Sequence, residues 1–139
     1  MPTLRWNDAD MDALVWAEAG DVQSQMLPFA VGQTVTWPVN SQRNERALTE
    51  HVGADTANQV SMLVDWHAAR PEDTVNYTGT VSHIEVYRCR LARGHVIPGT
   101  VETYPVVEVD GWESEEDGVY VSGYLVTLTN IRQSVERQN

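Results

Sequence analysis

Four histidines and one cysteine are the residues of this chain that could bind a transition metal or serve catalysis. The histidines lie 16, 16 and 12 positions apart along the sequence, at His51, His67, His83 and His95. Zinc sites usually pair two ligands roughly two to five residues apart, so no such local pair exists here. A metal-dependent enzyme would instead need His67, His83 and Cys89 to converge in space, and we keep this as an alternative hypothesis. The prediction is that the protein holds no metal and no cofactor.

The single cysteine is placed poorly for nucleophilic chemistry. Cys89 lies within a predicted strand, between Arg88 and Arg90, and neighbouring side chains of a strand point to opposite faces. The two guanidinium groups would therefore not lie beside the thiol, where they would lower its pKa. We interpret Cys89 as a buried, small apolar residue. Because the chain also lacks a Gly-x-Ser-x-Gly turn, a phosphate-binding loop and a dinucleotide fingerprint, we favour a protein that is not an enzyme.

Aromatic rings beside arginine side chains form the other candidate site. The chain holds five Trp and five Tyr, and small barrels often present such rings on one face for stacking on bases or sugars. The residues that we predict to bind a ligand are Trp66, His67, Tyr87, Arg88, Arg90 and Tyr124. The competing interpretation is that the tryptophans fill or cover the core, since Trp carries a large apolar area. We favour that interpretation for Trp16, Trp37, Trp66 and Trp112.

Charge narrows the range of partners. The chain has 20 acidic and 9 basic residues, for a net charge of -11, and all of its basic residues are arginine. Phosphate backbones and anionic membranes both require a basic face, so the composition disfavours nucleic acid and membrane surfaces. Arg88, Arg90 and Arg93 form a local exception. Single-stranded nucleic-acid binding through Arg88, Arg90 and nearby aromatic rings therefore stays open as an alternative.

Three features predict a cytoplasmic protein. The N-terminal segment has no apolar core of the kind that a signal peptide needs. No run approaches the roughly 18 apolar residues that span a membrane. A single cysteine cannot form an internal disulfide, which suits a reducing compartment.

The hydrophobic pattern predicts an all-β, or at least β-dominated, domain with one short helix. Strands are predicted over residues 13–17, 31–39, 75–91 and 119–129. Residues 59–67 fit both a helix and a strand, and we favour a strand because the segment is short and Pro71 follows it. Asn44 and Gly53 suit the two ends of a helix near 44–53.

The strand over 75–91 is predicted to bend. Its apolar residues change parity near Ser82-His83 and again near Val86-Tyr87, and a strand changes faces in this way through an extra residue, a β-bulge. Such bends turn the corners of a small barrel. The prediction is one domain over 13–130, an antiparallel barrel of five or six strands, with an acidic arm at 1–12 and a polar tail at 131–139.

Several short motifs carry a resemblance to a known family. In chain order they are Pro28–Trp37, Thr78–Val81, Tyr87–Arg90, Val96–Gly99, Val109–Trp112 and Gly123–Val126. In this order they resemble an uncharacterised actinobacterial domain family of unknown function, over roughly residues 13–129. Members of that family often carry a Cys pair just before the Pro-Phe step, where this chain has Gln25-Met26-Leu27. No role of those cysteines carries over, and the resemblance implies no activity. At the level of fold, the Val-Gly-x-x-Val-x-Trp segment is similar to small Src-homology-type barrels.

These observations favour a non-enzymatic binding module for a protein or small-molecule partner, which could also form a homodimer. An unpaired edge strand or an aromatic patch would supply the contact surface. The interpretation predicts an exposed apolar patch and no cleft lined by strongly perturbed titrating groups. The alternatives are the metal-dependent enzyme and the single-stranded nucleic-acid binder described above.

Overall fold

The computed structural model describes residues 12–24, 28–40, 45–65, 74–110 and 118–133. The strands are β1 (Asp12–Glu18), β2 (Phe29–Ala30), β3 (Thr34–Asn40), β4 (Met62–Val64), β5 (Val75–Cys89), β6 (Leu91–Ala92), β7 (His95–Val96), β8 (Glu102–Val106), β9 (Glu108–Val109) and β10 (Tyr120–Gln133). The helices are α1 (Ala19–Ser24), α2 (Glu45–Val52) and α3 (Ala54–Gln59).

Five strands close into a barrel in the order β10, β1, β4, β3 and β5, because β5 also pairs with β10. The predicted small β-barrel is therefore confirmed, but its antiparallel arrangement is wrong. β1 and β4 run parallel, with Val15 opposite Met62 and Trp16 opposite Leu63, so the barrel is mixed. Parallel neighbours need a long crossover, and the connection from β1 to β4 contains all three helices. β8 adds a sixth strand, which pairs with β5 on the same edge as β3 but farther along the strand.

The two longest strands carry the bulges that curve the wall. Thr127 of β10 pairs with His83 and the next residue, Leu128, pairs with Val81, so Ser82 is the extra residue and the predicted bulge at Ser82-His83 is confirmed. The bulge predicted near Val86-Tyr87 is not in β5. The extra residue there lies on the neighbouring strand: it is Ser122 of β10, which the pairing skips opposite Tyr87 and Arg88. Near Val86-Tyr87 the pattern changes parity because both faces of the wall are covered.

Buried side chains form two cores, one on each side of the barrel wall. The interior core consists mainly of Val15, Ala17, Phe29, Val35, Trp37, Val39, Met62, Val64, Val81, Ile84, Val86, Tyr124, Val126, Leu128 and Ile131. The outer core, between the wall and helices α2 and α3, consists of Trp16, Leu48, Val52, Ala57, Val60, Tyr87 and Leu125. Burying each large apolar side chain contributes roughly 2 kcal/mol, so both layers stabilise the fold.

One of the three helices was predicted from the sequence, and the other two were not. The predicted helix near 44–53 is confirmed as α2, which places Leu48 and Val52 in the outer core. α1 and α3 were not predicted, since each has six residues and α3 buries only Ala57. The strand favoured within 59–67 is confirmed at β4, although α3 occupies the segment as far as Gln59.

Candidate functional site

A short hairpin projects beyond the end of β5. Strands β6 and β7 pair Leu91 with Val96 and Ala92 with His95. The two residues between them, Arg93 and Gly94, have φ angles of 55° and 81°, and positive φ at both positions defines a type I′ turn. Glycine adopts this conformation freely, whereas a left-handed residue with a Cβ costs about 1 kcal/mol. The turn therefore contains one strained residue, Arg93.

Hydrogen bonds hold the hairpin and the turn that follows it against β5 and α2. Ile97 N–H donates to the Arg90 carbonyl (2.8 Å). The Thr100 hydroxyl accepts from Arg90 N–H (3.1 Å) and donates to the Ile97 carbonyl (2.7 Å). Glu50 of α2 accepts from Val96 N–H through Oε2 (2.7 Å). The segment is exposed, but its backbone is fixed from two sides.

Glu50 is the side chain that joins α2 to this hairpin. The same Oε2 atom lies 3.3 Å from His95 Nδ1. The hydrogen bond from Val96 N–H holds the pKa of the Glu50 carboxyl below its ordinary value, with smaller contributions from His95 and His51 and opposition from partial desolvation. The carboxylate is therefore stabilised in the ionised form that anchors the hairpin.

Four large apolar side chains are exposed around this hairpin. They are Leu91 (37% exposed), Ile97 (37%), Val101 (38%) and Tyr120 (50%). Tyr120 belongs to the group because it pairs with Cys89 across β10 and β5, and Thr100 ties the segment before Val101 to Arg90. We call these four residues, together with the turn at Arg93, the hairpin end.

The two tyrosines of the predicted ligand site lie on opposite sides of the wall. Tyr124 is fully buried in the barrel interior. Tyr87 is buried in the outer core, where its ring meets Trp16 edge-on at 5.6 Å. Desolvation raises the pKa of its phenol, which a hydrogen bond with Thr56 partly offsets and the nearby charge of Glu85 reinforces. The structure therefore does not bring the two rings together on one exposed surface.

The predicted arginines are engaged within the fold. Arg88 donates from Nε to Glu102 Oε1 at 3.0 Å, and its guanidinium carbon lies 5.5 Å from the centre of the Tyr104 ring. Arg90 packs against the start of β10, since a Cβ at Gly118 would lie 2.8 Å from Arg90 Nη1. Trp66 and His67 lie outside the described residues.

The histidine and cysteine of the metal hypothesis are far apart. His83 and Cys89 lie on the same strand six residues apart, which separates them by roughly 20 Å. His83 is exposed beside the Glu85 carboxylate (3.6 Å), whereas Cys89 is buried. Within the described residues, no three His, Cys, Asp or Glu side chains come together as metal ligands. His83 and Cys89 therefore cannot share one metal ion, with or without His67.

Sequence reasoning missed a hydrogen-bonded chain between helix α2 and the barrel wall. The Ser122 hydroxyl lies 3.0 Å from His51 Nδ1 and 3.3 Å from Cys89 Sγ. Ser122 is the extra residue of the bulge in β10. The His51 ring also stacks on Trp16, with 6.5 Å between the ring centres. The three residues are 71 and 33 positions apart, so no local motif could reveal them. Because Cys89 is only 1% exposed, the chain joins α2 to the wall and offers no accessible thiol.

Two clefts open on other parts of the surface. One of about 350 Å³ lies between β2 and β9, where Phe29, Gln33, Glu108 and Asp110 contribute to its lining. The other, of about 220 Å³, is lined in part by Trp16, whose side chain also belongs to the outer core. In both clefts acidic side chains stand beside apolar ones, but neither contains a residue of the predicted ligand site.

The chain matches the profile of DUF6578, a family of unknown function, over residues 12–130. The chain belongs to DUF6578. No curated protein and no solved structure matches it significantly. The expected likeness to a family of unknown function is thus confirmed, and membership of DUF6578 brings no activity with it. Among the described residues, no helix has the length and apolar character to cross a membrane.

Proposed function

We propose that this DUF6578 domain is a non-enzymatic binding module that contacts a protein partner through the hairpin end. One observation carries the proposal. Of the seven large apolar side chains that are exposed in the described chain, four belong to the hairpin end. Exposed apolar groups that cluster on one part of a surface commonly mark interaction sites.

Rigidity supports the same proposal. Hydrogen bonds with the Arg90 backbone, the Thr100 hydroxyl and the Glu50 carboxylate fix the backbone of the hairpin and the turn after it. Preorganised contact segments lose less conformational entropy on binding. Tyr120 adds an aromatic ring, and aromatic side chains are enriched at the centres of protein interfaces. The hairpin end therefore combines exposed apolar area with a fixed shape.

Single-stranded nucleic acid is less well supported as the partner. Stacking requires exposed rings, and both Tyr87 and Tyr124 are buried. Arg88 already pairs with Glu102. The cytoplasmic location, the homodimer, the actinobacterial source and the likeness to Src-homology-type barrels stay predictions from the sequence.

The test compares variants of the full chain with the wild type. Ile97→Ser and Tyr120→Ser remove apolar contact from the hairpin end. Val107→Ser is the matched control, because Val107 is 73% exposed but lies outside the hairpin end. Proteins retained from a lysate of the source organism are identified, purified and titrated against each variant. We expect one partner whose affinity falls at least about tenfold, or ~1.4 kcal/mol, with both hairpin variants.

The control distinguishes a specific contact at the hairpin end from nonspecific hydrophobic binding. The same partner should lose less than about twofold affinity with Val107→Ser, since this change leaves the hairpin end intact. Sedimentation of the wild type first shows whether a second copy of the chain is that partner. A partner that is equally weakened by Val107→Ser, or the lack of any partner sensitive to Ile97→Ser, contradicts the proposal.

A further inference from the structure

We propose that Arg93 is the specificity-determining residue of the hairpin end, and that the partner presents a carboxylate beside apolar side chains. This inference rests on the proposed function, since it names the chemistry of the partner that the hairpin end would contact. Three observations support it: the backbone conformation of Arg93, the exposure of its guanidinium group and its position among exposed apolar side chains.

The backbone at Arg93 is strained in a way that folding alone does not require. A type I′ turn favours Asn before Gly, because Asn tolerates positive φ. Two non-glycine residues of the described chain have positive φ: Asn130 at 54° and Arg93 at 55°. Asn130 follows this preference for Asn, whereas the hairpin has Arg in its place. A strained residue retained at an exposed turn points to a role for its side chain.

The side chain of Arg93 is exposed at the tip of the hairpin. None of the described residues forms an ion pair or a side-chain hydrogen bond with it. Arg88 differs in this respect, because it already pairs with Glu102. A guanidinium group binds a carboxylate through two parallel hydrogen bonds.

Position, and not charge alone, sets Arg93 apart from other exposed arginines. Arg46 and Arg132 are exposed too, but neither belongs to the hairpin end. The net charge of -11 repels an acidic partner from most of the surface, so such a partner needs a local cation beside its apolar contacts. The apolar side chains at Leu91 and Ile97 flank the turn, so the carboxylate should lie next to apolar groups. A nucleic acid would need several phosphate contacts, and the single arginine of the hairpin end does not supply them. An acidic segment of a protein fits these requirements best.

The test uses a display library of random twelve-residue peptides as the probe, with the full chain as bait. We expect the wild type to enrich peptides with Asp or Glu next to an aliphatic or aromatic residue. Arg93→Asn should bind those peptides at least about tenfold more weakly, and Arg93→Lys should lie between the two. Because Asn suits the left-handed conformation better, Arg93→Asn should also unfold at a higher temperature than the wild type, which separates lost binding from lost folding.

The outcomes distinguish this inference from the proposed function. Peptides whose binding falls with Ile97→Ser but not with Arg93→Asn overturn the role of Arg93 and leave the binding surface in place. Peptides that bind all variants equally overturn both. Enriched peptides without acidic residues, or no enrichment by the wild type, overturn the acidic partner. Weaker binding of acidic peptides at higher salt, with a smaller salt effect in Arg93→Asn, supports it.

Discussion

Among single residues, Gly123 is one of the most tightly enclosed. It follows the bulge at Ser122, in the part of β10 that pairs with Glu18 of β1. A Cβ at this position would lie 2.6 Å from the Ala17 carbonyl oxygen and 2.6 Å from the Trp16 ring. The absence of a side chain therefore lets Trp16 cover the wall and meet His51. Packing in the outer core depends on this one glycine.

We predict that Gly123→Ala destabilises the fold by about 2 kcal/mol or more, because a backbone oxygen and a packed ring cannot both retreat. The measurement is urea unfolding followed by tryptophan fluorescence. Gly20→Ala in α1 is the control, since a Cβ there meets nothing within 4 Å, and Ala favours helix. Equal midpoints for Gly123→Ala and the wild type would show that the wall moves more easily than the structure implies.

Among the elements, the β6–β7 hairpin depends on contacts outside itself. Its two strands form only two residue pairs, and isolated hairpins are marginally stable in water. The remaining support comes from Arg90, Thr100 and Glu50. The hairpin should therefore respond to changes in helix α2 that leave the barrel intact.

We predict that the Val96 amide resonance titrates with a midpoint below 4.5, the ordinary pKa of a glutamate. The pKa of Glu50 is lowered in the folded state, so its stabilising contribution is complete above 4.5 and is lost as pH falls through the lower, folded value. Nitrogen–proton NMR spectra over this range measure the midpoint. In Glu50→Gln the titration of Val96 should vanish, and a midpoint at or above 4.5 in the wild type would contradict the anchor.

The whole molecule combines a closed wall, two cores and a large negative charge. β5 takes part in pairing with β3, β8 and β10, so it is the element around which the other strands are arranged. The net charge of -11 destabilises the compact state through self-repulsion. Stability should therefore depend on ionic strength as well as on packing.

We predict that the unfolding temperature rises by a few degrees when salt increases from about 10 mM to about 500 mM, because screening weakens the repulsion among carboxylates. Calorimetry at neutral pH measures the change. Sodium and potassium chloride should act alike if screening is the cause. A fall in unfolding temperature would mean that attractive pairs such as Arg88–Glu102 outweigh the net repulsion.

The local pattern of apolar residues was enough to place most of the secondary structure. Alternation along β3 follows from one buried face, whereas the consecutive buried residues of β1 and β10 follow from cores on both faces of the wall. The parity change at Ser82 in β5 follows from the bulge that it requires. The helix α2 was recognisable from the residues at its ends. Short helices such as α3 were not, because a single buried alanine leaves no periodic signal.

Contacts between residues far apart in the sequence determined the strand directions and the neighbours of each side chain. Strand direction is not encoded in alternation, so the parallel pair of β1 and β4 emerged only from the path of the chain. Tyr87 and Tyr124 are both aromatic, yet the wall separates them. The meeting of His51, Ser122 and Cys89, and the grouping of Leu91, Ile97, Val101 and Tyr120 at one end, depend on pairing across the barrel. Local sequence sets which face a side chain takes, whereas barrel closure sets its neighbours.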